Sequence, residues 1–136
     1  MRYLFDTNAC IALLNDTSPP LRKRLRRLAP ADIGLPAPVA YELYYGAHKS
    51  RHADRNLALL DRLEFEIVPF DAGDARAAGA VRSELEAKGL PIGPYDLLIA
   101  GQARARKLVL VTANSREFER VKGLVCEDWT LSGAGV

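Results

Sequence analysis

Five short apolar runs are separated along this chain by longer segments with helical periodicity, and that alternation restricts the fold more than any other feature. The runs are Arg2 to Phe5, Ile33 to Leu35, Glu66 to Pro69, Leu108 to Val111 and Leu124 to Cys126. Helical patterns lie between them. Ala9 to Leu14 follows the first run at once. Ala37 to Ser50 has Pro38 in its first turn, where a missing N–H costs nothing. Asp71 reads as the N-cap of an alanine-rich helix that continues to Lys88 and stops at Gly89. Leu90 to Pro94 reads as a stiff loop, and Leu97 to Arg106 as a short helix with an apolar stripe. Strands separated by helices cannot pair as hairpins. An α/β fold is therefore expected: one domain over 1–136, with a mainly parallel central sheet of about five strands and helices on both faces. In such sheets ligands bind beyond the carboxyl ends of the strands. Asp6 stands at one of these ends; Thr112, Ala113 and Asn114 stand at another.

A chain of 136 residues buries roughly two thirds of the surface it exposes when unfolded, so it needs no disulfide scaffold. Cys10 and Cys126, each among apolar neighbours, read as reduced core residues. Asp6 breaks the apolar stretch a signal peptide would need, and no run approaches the ~20 residues of a membrane span. A soluble, cytoplasmic protein is expected. The net charge of +2 is too small to point to a polyanion on its own. Its distribution says more: Arg22, Lys23, Arg24, Arg26 and Arg27 crowd a segment whose Leu21, Leu25 and Leu28 recur on one helical face. The cations form either a solvated face or a contact for RNA or an acidic partner.

Three acids stand where the surrounding sequence is apolar or conformationally fixed. Asp6 ends the first strand and is either an N-cap or a site residue. Glu42 interrupts the otherwise uncharged stretch from Pro36 to Gly46, and a carboxylate buried there needs a partner. Asp96 follows Pro91-Ile92-Gly93-Pro94, whose two prolines fix the direction of the backbone. It too fits a cap or a positioned functional group. Asn114 is expected to cap a further helix that carries Glu117 one turn along. His48 and His52 are i, i+4 neighbours with no third nitrogen or sulfur ligand, and read as a solvated face. Converging carboxylates about 4 Å apart repel by about 4 kcal/mol at an effective dielectric of 20, so a cluster of them requires protons, an arginine or a divalent ion. Oxygen donors alone suit Mg²⁺ or Mn²⁺. Such an ion polarises a phosphoryl oxygen and activates water for in-line displacement, which makes phosphodiester cleavage the natural chemistry.

Taken in order, Asp6-Thr7-Asn8, Tyr41-Glu42-Leu43 with Gly46, Gly93-Pro94-Tyr95-Asp96 with Ile99-Ala100, and Val111-Thr112-Ala113-Asn114 with Glu117-Phe118 resemble the PIN-domain family. More narrowly they resemble the VapC toxins of bacterial toxin–antitoxin pairs. The likeness runs from Tyr3 to Trp129 and includes Glu127-Asp128-Trp129 near the end. It implies a toxin endoribonuclease that uses Mg²⁺, or Mn²⁺ in its place, and inhibits translation by cutting structured RNA, with transfer RNA favoured over ribosomal RNA. By the same likeness Asp6 and Asp96 are the principal metal ligands and Glu42 completes the core. The fourth acid is open: many relatives have Asp where this chain has Asn114, so Glu117 is the candidate catalytic acid there. Thr7, Asn8, Thr112 and Asn114 would orient the acids. A small cognate antitoxin and a homodimer are implied as well. Two other readings remain. An aspartate-dependent phosphatase needs a second Asp two positions after Asp6, where Asn8 stands. A non-catalytic interaction protein has no reason to keep mutually repelling acids.

Overall fold

A computed structural model describes residues 1–131; the last five positions of the expected 1–136 domain lie outside the described residues. The chain runs β1 (Tyr3–Phe5), α1 (Thr7–Leu14), α2 (Pro19–Leu25), a 3-10 turn (Pro30–Asp32), β2 (Ile33–Pro36), α3 (Ala37–Lys49), α4 (Ala53–Asp61), β3 (Glu66–Val68), α5 (Ala72–Ala87), α6 (Pro94–Arg106), β4 (Val109–Val111), α7 (Ser115–Phe118) and β5 (Cys126–Glu127). The five strands form one sheet in the order β3-β2-β1-β4-β5. All four pairings are parallel, in agreement with the expected α/β class. From β1 the chain moves outward through β2 to β3, then returns to the other side of β1 for β4 and β5. Right-handed crossovers in opposite directions place their helices on opposite faces of the sheet. The reversal also leaves a crevice at the carboxyl ends of β1 and β4.

The core lies on both sides of β1, whose three residues are all buried. Trp129 sits edge-on against Tyr3 and Phe5, with ring centroids 4.9 and 5.4 Å apart. Cys10 is buried and Cys126 half-buried, and both are free thiols. No helix among the described residues is long and apolar enough to cross a membrane.

Several elements depart from the sequence expectation, each for a local reason. The basic helix spans Pro19–Leu25 and not Leu21 to Leu28; Ser18 caps it, and Pro30 forces the preceding backbone out of the helical region. The last strand lies at Cys126–Glu127, beginning two residues later than Leu124. Helix α6 starts at Pro94, so Gly93 is the N-cap and Asp96 falls inside the first turn. Helix α4 was not anticipated, since its start has no side-chain cap to mark it. As expected, Asp71 caps α5, in a reciprocal box with Asp74, and Gly89 turns the chain away with φ of +67°.

Helix α6, which carries Asp96, is seated on α5. At Gly101 an added Cβ would lie 2.5 Å from the Ala78 Cα, so only glycine permits this approach. At the next residue, Gln102 Nε2 donates to the carbonyls of Val68 and Pro69 and to Asp74 Oδ2. Arg106 grips both oxygens of Asp74, at 3.1 and 2.9 Å. This buried polar group joins α5, α6 and the end of β3.

Candidate active site

Asp6 is the first residue past β1, and its N–H donates to the Val111 carbonyl at 3.1 Å, tying together the ends of β1 and β4. Its Oδ1 accepts from Ala9 N at 2.8 Å and so caps α1. Thr112, the first residue past β4, bonds the same carboxylate through its hydroxyl. Cap and site acid are thus compatible roles for one side chain. Asp6 is only 4% exposed. Burial raises its pKa; the Thr112 and Ala9 bonds oppose that, and the charges of Asp128 and Glu42 add to it. Thr112 also accepts at Oγ1 from Asn114 N at 2.8 Å, so one hydroxyl links Asp6 to the loop that leads to α7.

The other acids arrive from three further helices. Glu42, half-buried on α3, accepts at Oε1 from the Thr7 hydroxyl at 3.0 Å. Thr7 opens α1 beside Asp6, so it sets one acid against the next. Glu117 comes from α7 and is held by Asn114, whose Nδ2 donates to Glu117 Oε2 at 3.2 Å. Asn114 occupies the N-cap position but makes no side-chain cap bond, contrary to the capping role expected of it. Asn8 is exposed and makes no side-chain hydrogen bond to the acids.

Asp96 is the point where the set meets. Burial first, then the charges of Glu117, Asp6 and Glu42 and a hydrogen bond shared with Glu117, push its pKa up to about 6. Two carboxyl groups can share a hydrogen bond only when one is protonated. Four acids from four helix starts or faces, at positions 6, 42, 96 and 117, therefore feel one another at the switch point of the sheet. The charge of Asp6 reaches Asp96 across this end of the sheet.

The PIN domain family matches residues 3–124. The chain belongs to that family. It is similar to the tRNA(fMet)-specific endonuclease VapC of Shigella flexneri, at 39% identity over 96% of this chain and 99% of the relative. It is also similar to the Salmonella typhimurium protein of the same name, at 40% identity over 95% and 98% of the two chains. Among solved structures, the VapBC of Salmonella typhimurium, crystallised bound to DNA, contains a chain that superposes with a TM-score of 0.90 at 39% identity, covering 95% of this chain and 98% of that one.

In this PIN domain, Asp128 is a neighbour of the site that the sequence reading did not single out. It is half-buried just past β5, and its charge reaches Asp6. The strand-end rule that selected Asp6 would have selected Asp128 had β5 been placed correctly. Of the five clustered cations, Arg24 turns inward: it pairs with Glu127 at 3.1 Å and lies 4.9 Å from the centre of the Trp129 ring. Arg22 pairs with the exposed Asp16. Lys23, Arg26 and Arg27 are exposed.

Among the described residues no three Asp, Glu, His or Cys side chains are arranged to hold an ion as they stand. Burial and the neighbouring Glu117 hold the Asp96 pKa up in this arrangement. The donor set nevertheless suits a hard divalent cation: it is all oxygen, drawn from separate elements, and Thr7, Thr112 and Asn114 orient its members from behind. A cation entering between the acids would relieve the same repulsion.

Proposed function

We propose that this PIN domain is an endoribonuclease, the toxin of a toxin–antitoxin pair, which requires Mg²⁺ or Mn²⁺ and inhibits translation in the cytoplasm by cutting transfer RNA. The single observation that carries the reading is the set of acids Asp6, Glu42 and Glu117, each held by a neighbouring donor, around Asp96, whose pKa their charges and its burial raise. The names of the Shigella and Salmonella relatives support transfer RNA as the substrate. Asp6, Asp96 and Glu42 would hold the ion, which supplies an activated water and neutralises charge on the phosphate. Glu117, positioned by Asn114, is the fourth acid. Thr7 and Thr112 keep Glu42 and Asp6 aimed at the crevice.

Partner and assembly follow from the same likeness. VapBC structures from Salmonella typhimurium and Rickettsia felis are among its structural matches, and a small antitoxin together with a homodimer is proposed for this chain. A cationic side chain of the antitoxin entering the crevice would meet the electrostatic need that an ion otherwise meets. Beside Glu42 an open groove of about 320 Å³ between α1, α3 and α4, lined by Ile11, Leu43, Ala47, Leu59 and Leu60, offers an apolar seat for such a segment.

The test is cleavage of an initiator transfer RNA transcript by the purified protein in Mg²⁺, with and without chelator. Cutting that chelator abolishes is expected. Glu117→Gln should reduce the rate more than Asn114→Ala, because the first removes the acid and the second only its support; outer positioning groups typically cost about 10- to 100-fold. The reverse ranking would transfer the fourth role to Asn114. Intact transfer RNA after prolonged incubation with metal would defeat the substrate assignment.

A further inference from the structure

Three tyrosines beside or one turn from the acids carry rings that are among the more exposed large hydrophobic groups of the described residues. Tyr41 is 55% exposed, Tyr45 58% and Tyr95 42%. Tyr41 precedes Glu42 on α3, and Tyr95 precedes Asp96 on α6, so two of the rings sit directly beside site acids on separate helices. These two rings meet at 5.6 Å between centroids, tilted by 42°. Tyr45 follows Tyr41 by four residues and Lys49 follows Tyr45 by four, so the three share one stripe of α3. The Lys49 ammonium lies 5.7 Å from the centre of the Tyr45 ring. The Tyr95–Tyr41 pair beside the acids and the Tyr45–Lys49 pair one turn further on thus mark a stripe that leads away along α3, its residues rising about 6 Å per step.

This row matches the recognition chemistry of a single nucleic-acid strand. Exposed aromatic faces accept any base by stacking, and a cation at the end takes a phosphate. Leucine and isoleucine, the usual residues of an apolar protein contact, are absent from the row, while tyrosine combines a flat face with a wettable hydroxyl. Sequence-selective RNA recognition also works on unpaired bases splayed onto aromatic rings. We propose that Tyr41 and Tyr45, with Tyr95 at the mouth of the crevice, stack unpaired bases of the RNA flanking the scissile phosphate, and that Lys49 holds the backbone beyond them. The proposal rests on the nuclease reading and names how that site grips its substrate.

The experiment uses the full chain carrying Asp6→Asn to prevent cutting, and a fluorescein-labelled RNA hairpin with a single-stranded loop, followed by anisotropy in Mg²⁺. Adding Tyr41→Ala or Tyr45→Ala should weaken binding about 5- to 100-fold each. Tyr41→Phe and Tyr45→Phe keep the stacking face and should bind within about twofold of the parent. A hairpin whose loop nucleotides are abasic should bind the tyrosine and alanine forms equally, because nothing remains to stack. Both tyrosines are exposed, so melting temperature should be unchanged in every form. Equal binding of the intact hairpin by tyrosine and alanine forms overturns the proposal, as does a loss that persists with the abasic hairpin. Unaltered RNA binding with a changed oligomeric state assigns the face to a second protein chain and also overturns it. If the wild type cuts no RNA and the Asp6→Asn parent binds none, the nuclease reading falls. If cutting and binding stand while the alanine forms are indifferent, only the aromatic row falls.

Discussion

Asp96→Asn should reduce RNA cleavage by at least about 100-fold and, with no divalent ion present, make the protein melt higher than the wild type. The two effects have one cause. Asp96 is pushed to about 6 by burial and by Glu117, Asp6 and Glu42, against an ordinary value of 3.8. Between those values the folded chain retains a proton that the unfolded chain has released, so stability falls as pH rises from about 4 to about 6, and above that the whole cost is present. At full burial the gap would be worth about 3 kcal/mol. Asp96 is only half-buried, and solvent screening reduces this to about 1–2 kcal/mol. A carboxylate in the first turn of α6 also gains about 0.3–1 kcal/mol from the helix N-terminus, which asparagine gives up. The net expectation is a gain of about 1 kcal/mol at neutral pH, or about 3–8 °C in Tm, closing as pH falls below about 4. Mn²⁺ at about 100 times its Kd should add about 2.7 kcal/mol to the wild type and much less to the variant. Melting curves in chelator and in Mn²⁺, beside a gel-based cleavage assay, read all of this. A variant that melts below wild type at neutral pH in chelator would show that the acids are not in conflict.

The legible and illegible parts of this site differ in kind. Asp6, Glu42 and Asp96 were visible because a charge inside an apolar or proline-fixed stretch violates local patterning, and the strand-end rule gives such a violation a place in the fold. Asp128 obeys the same rule but was lost through a small slip, since β5 is only two residues long and its apolar signal begins earlier, at Leu124. Edge strands this short carry almost no pattern. Asn114 reads locally as a cap, its commonest role, and by family likeness as a group that orients the acids; the position of Glu117, set by the packing of α7, gives its amide the second role. Arg24 in a run of cations looks like its neighbours in sequence. Its attachment to Glu127 and Trp129, more than a hundred residues away, is a tertiary fact with no local trace. The tyrosine row falls in the same category, because Tyr95 meets Tyr41 only after α6 packs near α3.

Arg106→Leu should cost about 3–5 kcal/mol of folding stability. Asp74 has a side chain only 2% exposed and faces a guanidinium that is 32% exposed, so removing the arginine strands a buried negative charge while removing the aspartate would merely release a cation toward water. Burial alone would raise the pKa of Asp74, but the Arg106 bond, the Asp71 N–H and Gln102 together hold it below the usual carboxylate range. In the wild type this group therefore contributes stability that is present above about pH 4 and lost as pH falls through its depressed pKa. Without Arg106 the balance reverses: Asp74 takes up a proton at higher pH, and the gap between variant and wild type should narrow steadily on acidification. Asp74→Asn in the Arg106→Leu background should recover part of the loss, since a neutral amide can still accept from Gln102 and the Asp71 N–H. Urea unfolding of the two single variants and the double variant at neutral and acidic pH gives the coupling directly. Arg106 lies ten residues along α6 from Asp96, about 15 Å, so cleavage by the folded fraction should persist at low temperature. A loss below about 1 kcal/mol, independent of pH, would mean that Asp74 finds water or another donor when the arginine is gone, and that this buried pair does not anchor the helix bearing Asp96.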